Sequence, residues 1–308
     1  MKILVTGAFP LDGSRRSALE ALGLELTFHG DEGEMPPSPE QYQGVICNGL
    51  FAFQDIARFS RLKYIQLTSA GMDRVPLDVC RERGIQVFSA AGVYSVPMAE
   101  WTVMRLLELW KHAGGMWEKQ KAARWEKDRL WQELAGKRVC ILGYGAYGME
   151  TAKRLKAFDM EICCVNRTRK ESPWVDQWGG LEDLHGCLDR ADTVILAVAL
   201  TEQTRGILDE AAFAAMKPGA VLINAARGAL VDERALTAAL DSGKLAGAAL
   251  DVFETEPLPP ESPLWGRENV LISPHNSFIG DGNRERLTRL VVNNWKAVTR
   301  NDSENTGR

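Results

Sequence analysis

The sequence predicts an α/β protein built from two doubly wound parallel-sheet domains. Three observations carry that expectation. Short apolar runs alternate with segments of helical periodicity along almost the whole chain, the pattern of parallel strands joined by right-handed crossover helices. One of those runs, Val139 to Leu142, is followed at once by Gly143, Gly145 and Gly148 with G-x-G-x-x-G spacing, and a helical segment opens there. The chain of 308 residues is also long enough for two domains of ordinary size, each with its own core.

Taken in order, Lys2 to Thr6 is a strand and Gly7 to Gly13 a turn; Ser14 is placed to cap a helix to about Leu22, and Leu24 to Phe28 is a second strand. Gly7 has no G-x-x-G partner, so this first βαβ unit reads as structural. Between Asp31 and Glu40, four acidic residues and three prolines make an irregular surface loop. Gly44 to Cys47 and Leu62 to Leu67 are further strands, ending in the turns Asn48-Gly49 and Thr68-Ser69-Ala70-Gly71. Ligands in open α/β sheets gather beyond the carboxyl ends of strands, which makes both turns candidate substrate loops. Ile85 to Phe88 is a fifth strand. From Met98 an apolar helix, MAEWTVMRLLELW, runs to Trp110 and is the candidate spine joining the domains. The segment after it, rich in Lys, Glu and Trp up to Leu134, lies outside, its tryptophans serving either a partner subunit or their own chain.

Beyond the glycine triplet the alternation continues. Strands are expected at Glu161–Val165, Thr193–Ala197, Val221–Asn224, Gly247–Val252 and Val270–Ser273, and helices near Leu181–Leu188, at Glu210–Met216 and at Glu233–Ser242. A last helix from Gly282 to about Thr299, with Leu287, Leu290 and Val291 on one face, returns to the first domain, and the final residues are expected to fray.

The glycine loop has the composition of a dinucleotide cradle. Gly143 makes the turn off the strand, Gly145 leaves room for a pyrophosphate, and Ala146, Tyr147 and Gly148 begin a helix whose unpaired N–H groups and dipole favour an anion. Helix packing against the sheet needs Gly148 to lack a side chain. At the end of the next strand, where an acid usually holds the adenosine ribose of NAD, stands Asn166, followed by Arg167, Thr168 and Arg169. Two guanidinium groups flanking a hydroxyl match a dianionic phosphate in charge and fork geometry. The expectation is NADP in preference, with NAD possible.

Composition narrows the partners. A net charge of −4 gives no basic footprint for nucleic acid or anionic membrane. Six cysteines lie mostly in or beside apolar runs without C-x-x-C or metal spacing, as in a reducing compartment. The opening MKILVTGAF reads as a strand rather than a signal peptide, and no apolar run approaches the roughly 18 residues of a membrane span. The expected location is the cytoplasm, with no metal.

Three polar residues fall just past the carboxyl ends of strands in the second domain: Arg227 after VLINAA, Glu256 after the strand ending at Val252, and His275 after VLISP. The strand-end rule brings them to one crevice, into which the glycine loop also opens. An arginine grips a carboxylate at two points, and a histidine passes a proton near neutral pH. A glutamate beside that histidine favours the imidazolium and holds the acid form ready for a reduction.

The run from Asn224 to His275, NAARGALVDERALTAALDSGKLAGAALDVFETEPLPPESPLWGRENVLISPH, resembles the signature region of the D-isomer-specific 2-hydroxyacid dehydrogenases. The glycine loop, the AGMD turn at Ala70 to Asp73 and the AAGVYSVPMAEW entry to the spine helix agree with it. The resemblance implies a Rossmann cofactor domain, residues 99–278, inserted into a flavodoxin-like substrate domain, residues 1–98 and 279–308. It implies that Arg227, Glu256 and His275 form the catalytic set, and that Arg227 and His275 also contact substrate. Ala225 and Asp251 would touch the cofactor, Asp251 through the nicotinamide carboxamide. Backbone N–H groups of Ala70 and Gly71 would hold the substrate carboxylate, with Asn48 and Gly49 as weaker candidates for the same pocket. Ala199 stands where relatives often carry proline, and Asn166 replaces the frequent acid, which points to the glyoxylate and hydroxypyruvate reductase branch. No segment after the last helix suggests the regulatory domain of long phosphoglycerate dehydrogenases.

The activity so implied is reduction of a small 2-oxo acid to a D-2-hydroxy acid by hydride transfer from NADPH, in a homodimer formed through the cofactor domain. An enzyme of the same type using NADH is one alternative. A rival from another class is a dinucleotide-sensing binding protein of corepressor type, which would leave NADPH unoxidised in the presence of any 2-oxo acid.

Overall fold

Two parallel sheets organise the protein, a computed structural model that describes the backbone of residues 1–306 and the side chains of 1–300. The chain divides into two compact units, Met1–Tyr94 with Gly280–Arg308, and Ser95–Ile279. The first unit holds β1 (Lys2–Thr6), β2 (Glu25–His29), β3 (Gly44–Cys47), β4 (Tyr64–Leu67) and β5 (Gln86–Phe88) in the order β2-β1-β3-β4-β5. That is the flavodoxin-like order. The second holds β6 (Arg138–Leu142), β7 (Glu161–Val165), β8 (Gln177–Gly179), β9 (Thr193–Leu196), β10 (Ala220–Asn224), β11 (Leu245–Leu250) and β12 (Val270–Ile272) in the order β12-β11-β10-β9-β6-β7-β8. Its chain reverses direction across the sheet between β6 and β9, the switch point at which doubly wound sheets bind dinucleotides.

Both sheets are covered on both faces, and most positions of their central strands are accordingly apolar. Alternation then sends neighbours to opposite cores. On β6, Cys140 and Leu142 enter one cluster with Leu222 and Phe213, while Val139 and Ile141 enter the other with Ile223, Leu155 and Trp110. In the first unit, Leu4, Val45 and Ile65 face one core, and Ile3, Val5 and Ile46 face the other.

The helix Asn283–Thr306 closes that second core with Leu287, Val291, Trp295 and Val298, all buried. Gly44 on β3 makes room for Trp295, since a Cβ there would collide with the indole ring. Arg15, also buried, ties this helix to Gly13–Glu20: its guanidinium donates to Thr288 Oγ1 at 2.8 Å and to the Pro10 and Arg284 carbonyls.

Several elements depart from the sequence expectation. The first helix is capped by Asp12, whose carboxylate accepts from the Arg15 amide at 2.8 Å, and Ser14 lies inside the helix. The spine helix begins at Ser95, three residues before Met98, because Pro97 falls in its first turn where no N–H is required. A helix at Ala113–Lys121 and the edge strand β8 were not anticipated, both being too short to show periodicity. β11 ends at Leu250, which puts Asp251 and Val252 beyond the strand. The last helix runs past Thr299 to Thr306, and of the tail expected to fray, Gly307 and Arg308 lie outside the described residues. Among the described residues no helix is long and apolar enough to cross a membrane, and none of their His, Cys, Asp and Glu side chains group as a metal site.

Replacing a buried large aromatic by alanine costs about 3–5 kcal/mol. Trp295→Ala is therefore expected to lower the unfolding free energy by that amount, read from the denaturant midpoint.

Candidate active site

Three adjacent strands of the second sheet end level with one another: Asn224 on β10 pairs with Leu250 on β11, and Leu250 with Ile272 on β12. Backbone bonds then continue the alignment past the strands. Asp251 N donates to the Asn224 carbonyl at 2.9 Å, Ser273 N to Leu250 O at 3.0 Å, and His275 N to Asp251 O at 2.8 Å. The chain leaves these ends carrying Arg227, Glu256 and His275.

The Asp251 carboxylate is fully buried and fixes the turn that bears the histidine. It accepts from Ser273 Oγ at 2.5 Å, from the Asn276 amide at 2.8 Å and from the Ser277 amide at 2.9 Å. A carboxylate out of water needs such donors on both oxygens. Held at both sides, His275 itself adopts a left-handed backbone, φ 50°, a conformation uncommon outside glycine. Its Nδ1 lies 2.8 Å from Glu256 Oε2, while Glu256 Oε1 accepts from the Phe253 amide at 3.0 Å. With Nδ1 as donor to the carboxylate, Nε2 is the ring nitrogen left for a ligand.

Arg227 is half-buried and extended, φ −145°, and one of its guanidinium N–H groups donates to the Ala226 carbonyl at 2.8 Å. Asn224 clamps the turn before it, accepting from Ala226 N at 3.0 Å and donating to Arg227 O at 2.9 Å. Gly228 packs flat on the backbone of Phe253 and Glu254, where any Cβ would overlap. The arginine turn and the loop leading to Glu256 are thus in direct contact.

At the other side of the same sheet, Gly143 has φ +100° and its amide donates to Val165 O at 2.8 Å. Gly148 sits on the Gly143 carbonyl, and only a residue without a side chain allows that approach. Gly145 precedes the helix Ala146–Lys156 with no side-chain cap, and a Cβ on it would meet nothing within 4 Å. Uncapped amides and an open flank are what a pyrophosphate requires, so the loop fits a dinucleotide. The Tyr147 side chain is not part of that opening. Its hydroxyl bonds Thr102 Oγ1 at 2.7 Å inside the core, and burial pushes the phenol's pKa well up. Ala225, also buried, follows β10 directly.

Asn166 makes two bonds that an ionised aspartate could not both make. Its Oδ1 accepts from the Tyr144 amide at 3.2 Å and its Nδ2 donates to Thr168 O at 2.8 Å. An ionised carboxylate has no donor for the second bond. Arg167, Thr168 and Arg169 are exposed beyond it. Lys170, which the sequence reading passed over, folds back so that Nζ donates to the Tyr144 carbonyl at 3.0 Å, and Tyr144 OH meets Ser172 Oγ at 2.5 Å. The basic run shows in the sequence; its return onto the glycine loop is tertiary and does not.

The loops of the first unit separate into two kinds. The amides of Asn48 and Gly49 are engaged by Glu32, at 2.7 and 2.6 Å, and the same carboxylate takes Thr6 Oγ1 at 2.6 Å. The acidic stretch after β2, expected as plain surface, therefore folds one side chain inward. Among the described residues none accepts from the amides of Ala70 and Gly71.

The sequence profile of the D-isomer specific 2-hydroxyacid dehydrogenase NAD binding domain matches residues 103–277. The chain belongs to that family. Relatives include (S)-sulfolactate dehydrogenase of Chromohalobacter salexigens, 35% identical over 244 residues, 78% of each chain. Glyoxylate reductase of Thermofilum pendens is 36% identical over 78% of this chain and 73% of its own. A D-isomer specific 2-hydroxyacid dehydrogenase from Xanthobacter autotrophicus Py2, solved with NADPH and MES, superposes with a TM-score of 0.79 at 31% identity, covering 96% of this chain and 95% of that one. This 2-hydroxyacid dehydrogenase is accordingly an enzyme, an oxidoreductase using a nicotinamide dinucleotide.

In this dehydrogenase, Asn166→Asp removes the bond to Thr168 and sets a negative charge beside the basic run. The ratio of kcat/KM for NADPH over NADH is expected to fall about tenfold, equivalent to about 1.4 kcal/mol. Initial rates with both cofactors measure it.

Proposed function

We propose that the protein reduces a small 2-oxo acid to the D-2-hydroxy acid with NADPH as the preferred reductant. The observation that carries this reading is the Glu256–His275 pair, at 2.8 Å, set by Asp251 beside the Arg227 turn. When bound, the reduced nicotinamide supplies the hydride. Arg227 binds the substrate carboxylate with its planar fork. His275 Nε2 gives the proton to the carbonyl oxygen as it becomes an alkoxide, and Glu256, accepting from Nδ1, keeps the ring correctly turned. Asp251, with both oxygens bonded into the loop, serves by holding His275 in place, whatever further contact it makes with the carboxamide.

Arg167, Thr168 and Arg169, with Lys170 behind them, make the NADPH preference: three cations and a hydroxyl suit the 2′-phosphate, and Asn166 rather than a carboxylate stands at the strand end where a ribose diol would be held. The NADPH-bound relative supports this assignment. Ala70 and Gly71, with amides open, are the proposed hold on the substrate carboxylate in the first unit; the engaged amides of Asn48 and Gly49 make them poorer candidates. The glyoxylate reductases among the relatives support a short substrate such as glyoxylate or hydroxypyruvate.

Six free cysteines fit a cytoplasmic protein. A homodimer through residues 99–278 belongs to the same reading, supported by Trp117, Trp125, Leu130 and Trp131, all exposed in the segment after the spine helix.

Loss of a positioned acid costs about 10² to 10⁴ in rate. His275→Ala is expected to lower kcat with glyoxylate or hydroxypyruvate by that factor while leaving the NADPH dissociation constant near that of the parent. A variant as fast as the parent removes the acid role, and a parent that leaves NADPH unoxidised in the presence of every 2-oxo acid tried favours the binding-protein alternative.

A further inference from the structure

Three thiols meet on one face of the second sheet, within a core the proposed chemistry does not use. Cys140 on β6 and Cys163 on β7 are register partners. Cys187 comes down from the helix Leu184–Arg190, and its Sγ lies 3.2 Å from that of Cys163, whose thiol donates to it. Cys140 lies in the same buried cluster as both. Cys164, one position along β7, faces the opposite core and is no part of the group.

The arrangement makes the three sulfurs chemically unequal. Two S–H donors, Cys140 first and then Cys163, pull the Cys187 pKa below that of an ordinary thiol in spite of burial. Arg190 acts in the same sense and Asp183 against it. The Cys140 pKa is correspondingly raised. Cys187 is also the most accessible of the three, at 5% against 2% for Cys163 and 0% for Cys140. Gly179 on the edge strand β8, partly exposed, lies against it: a Cβ there would stand 3.3 Å from the Cys187 sulfur and 3.1 Å from the Asp183 Cβ.

We propose that Cys163 and Cys187 are a peroxide-responsive pair that closes to a disulfide, with Cys187 as the attacking sulfur. The Cys187 thiolate takes one oxygen from hydrogen peroxide, breaking the O–O bond and releasing hydroxide, which a proton converts to water. The resulting sulfenic acid is then attacked by Cys163, which forms the S–S bond and gives up its proton as the sulfenic oxygen leaves as the second water. The sum is two thiols and one peroxide to one disulfide and two waters. The sulfurs need only draw together from 3.2 Å to the bonded distance of about 2.05 Å. The bond would tie β7, the strand leading to Asn166, to the helix beneath it.

The test is peptide mapping of the full-length protein after hydrogen peroxide at neutral pH, followed by thiol alkylation and fragmentation of linked peptides. One pair of peptides joined through Cys163 and Cys187, lighter by two hydrogens, is expected. Because Cys164 adjoins Cys163, the map is repeated on Cys164→Ser, where the link must persist. Cys187→Ser should abolish the link and slow peroxide-dependent loss of thiol about tenfold, the order by which a lowered thiol pKa raises the thiolate fraction at pH 7, whereas Cys47→Ser should change neither. Six alkylatable thiols remaining after peroxide, or a link that omits Cys187, would overturn the proposal. Neither result depends on the substrate or cofactor reading.

Discussion

A carboxylate shut away from water just past the end of a parallel strand orders the turn that carries His275. Asp251 has no exposure, and its oxygens are bound by one hydroxyl and two amides of the segment Ser273 to Ser277. An unsatisfied buried charge is costly, so the segment is obliged to curl around it. The curl places His275 in a left-handed conformation and turns its ring towards Glu256. Level strand ends are the precondition, because one extra residue on β11 or β12 would carry these partners out of reach.

The nucleotide side of the sheet works by the opposite device, the removal of atoms. Gly143 and Gly148 let strand, turn and helix approach until a carbonyl lies where a side chain would be. The cradle is then stitched to the end of β7 by Asn166 and Lys170, both through Tyr144. Amide and ammonium there, in place of a carboxylate, leave the rim positive. The proposed NADPH preference follows from the same bonds that shape the loop.

How much of this the letters carried depends on the range of the interaction. Apolar runs that must be buried on both faces, such as Cys140 to Leu142 and Val221 to Ile223, are local signals, and the two-sheet architecture could be read from them. The strand-end rule likewise put Arg227, Glu256 and His275 at the ends of neighbouring strands, because it needs only strand boundaries and parallel order. It did not show that Asp251 holds the histidine turn, since β11 was read as ending at Val252 and the aspartate as lying within it. The acidic loop's composition suggests solvent-facing charge for Glu32; its bonds to Asn48 and Gly49 cross between segments that no periodicity relates. Tyr147 lay inside a cofactor motif, yet its side chain belongs to the core through Thr102.

The account rests on His275 and Arg227 acting together on one bound 2-oxo acid. A crystal structure with NADP⁺ and oxamate, an unreactive 2-oxo acid mimic, tests this most directly. It should show the oxamate carboxylate on the Arg227 guanidinium, its amide oxygen within hydrogen-bond distance of His275 Nε2, and Nδ1 still on Glu256. Oxamate bound in the same crystal away from both side chains, or a His275 ring turned off Glu256, would contradict it.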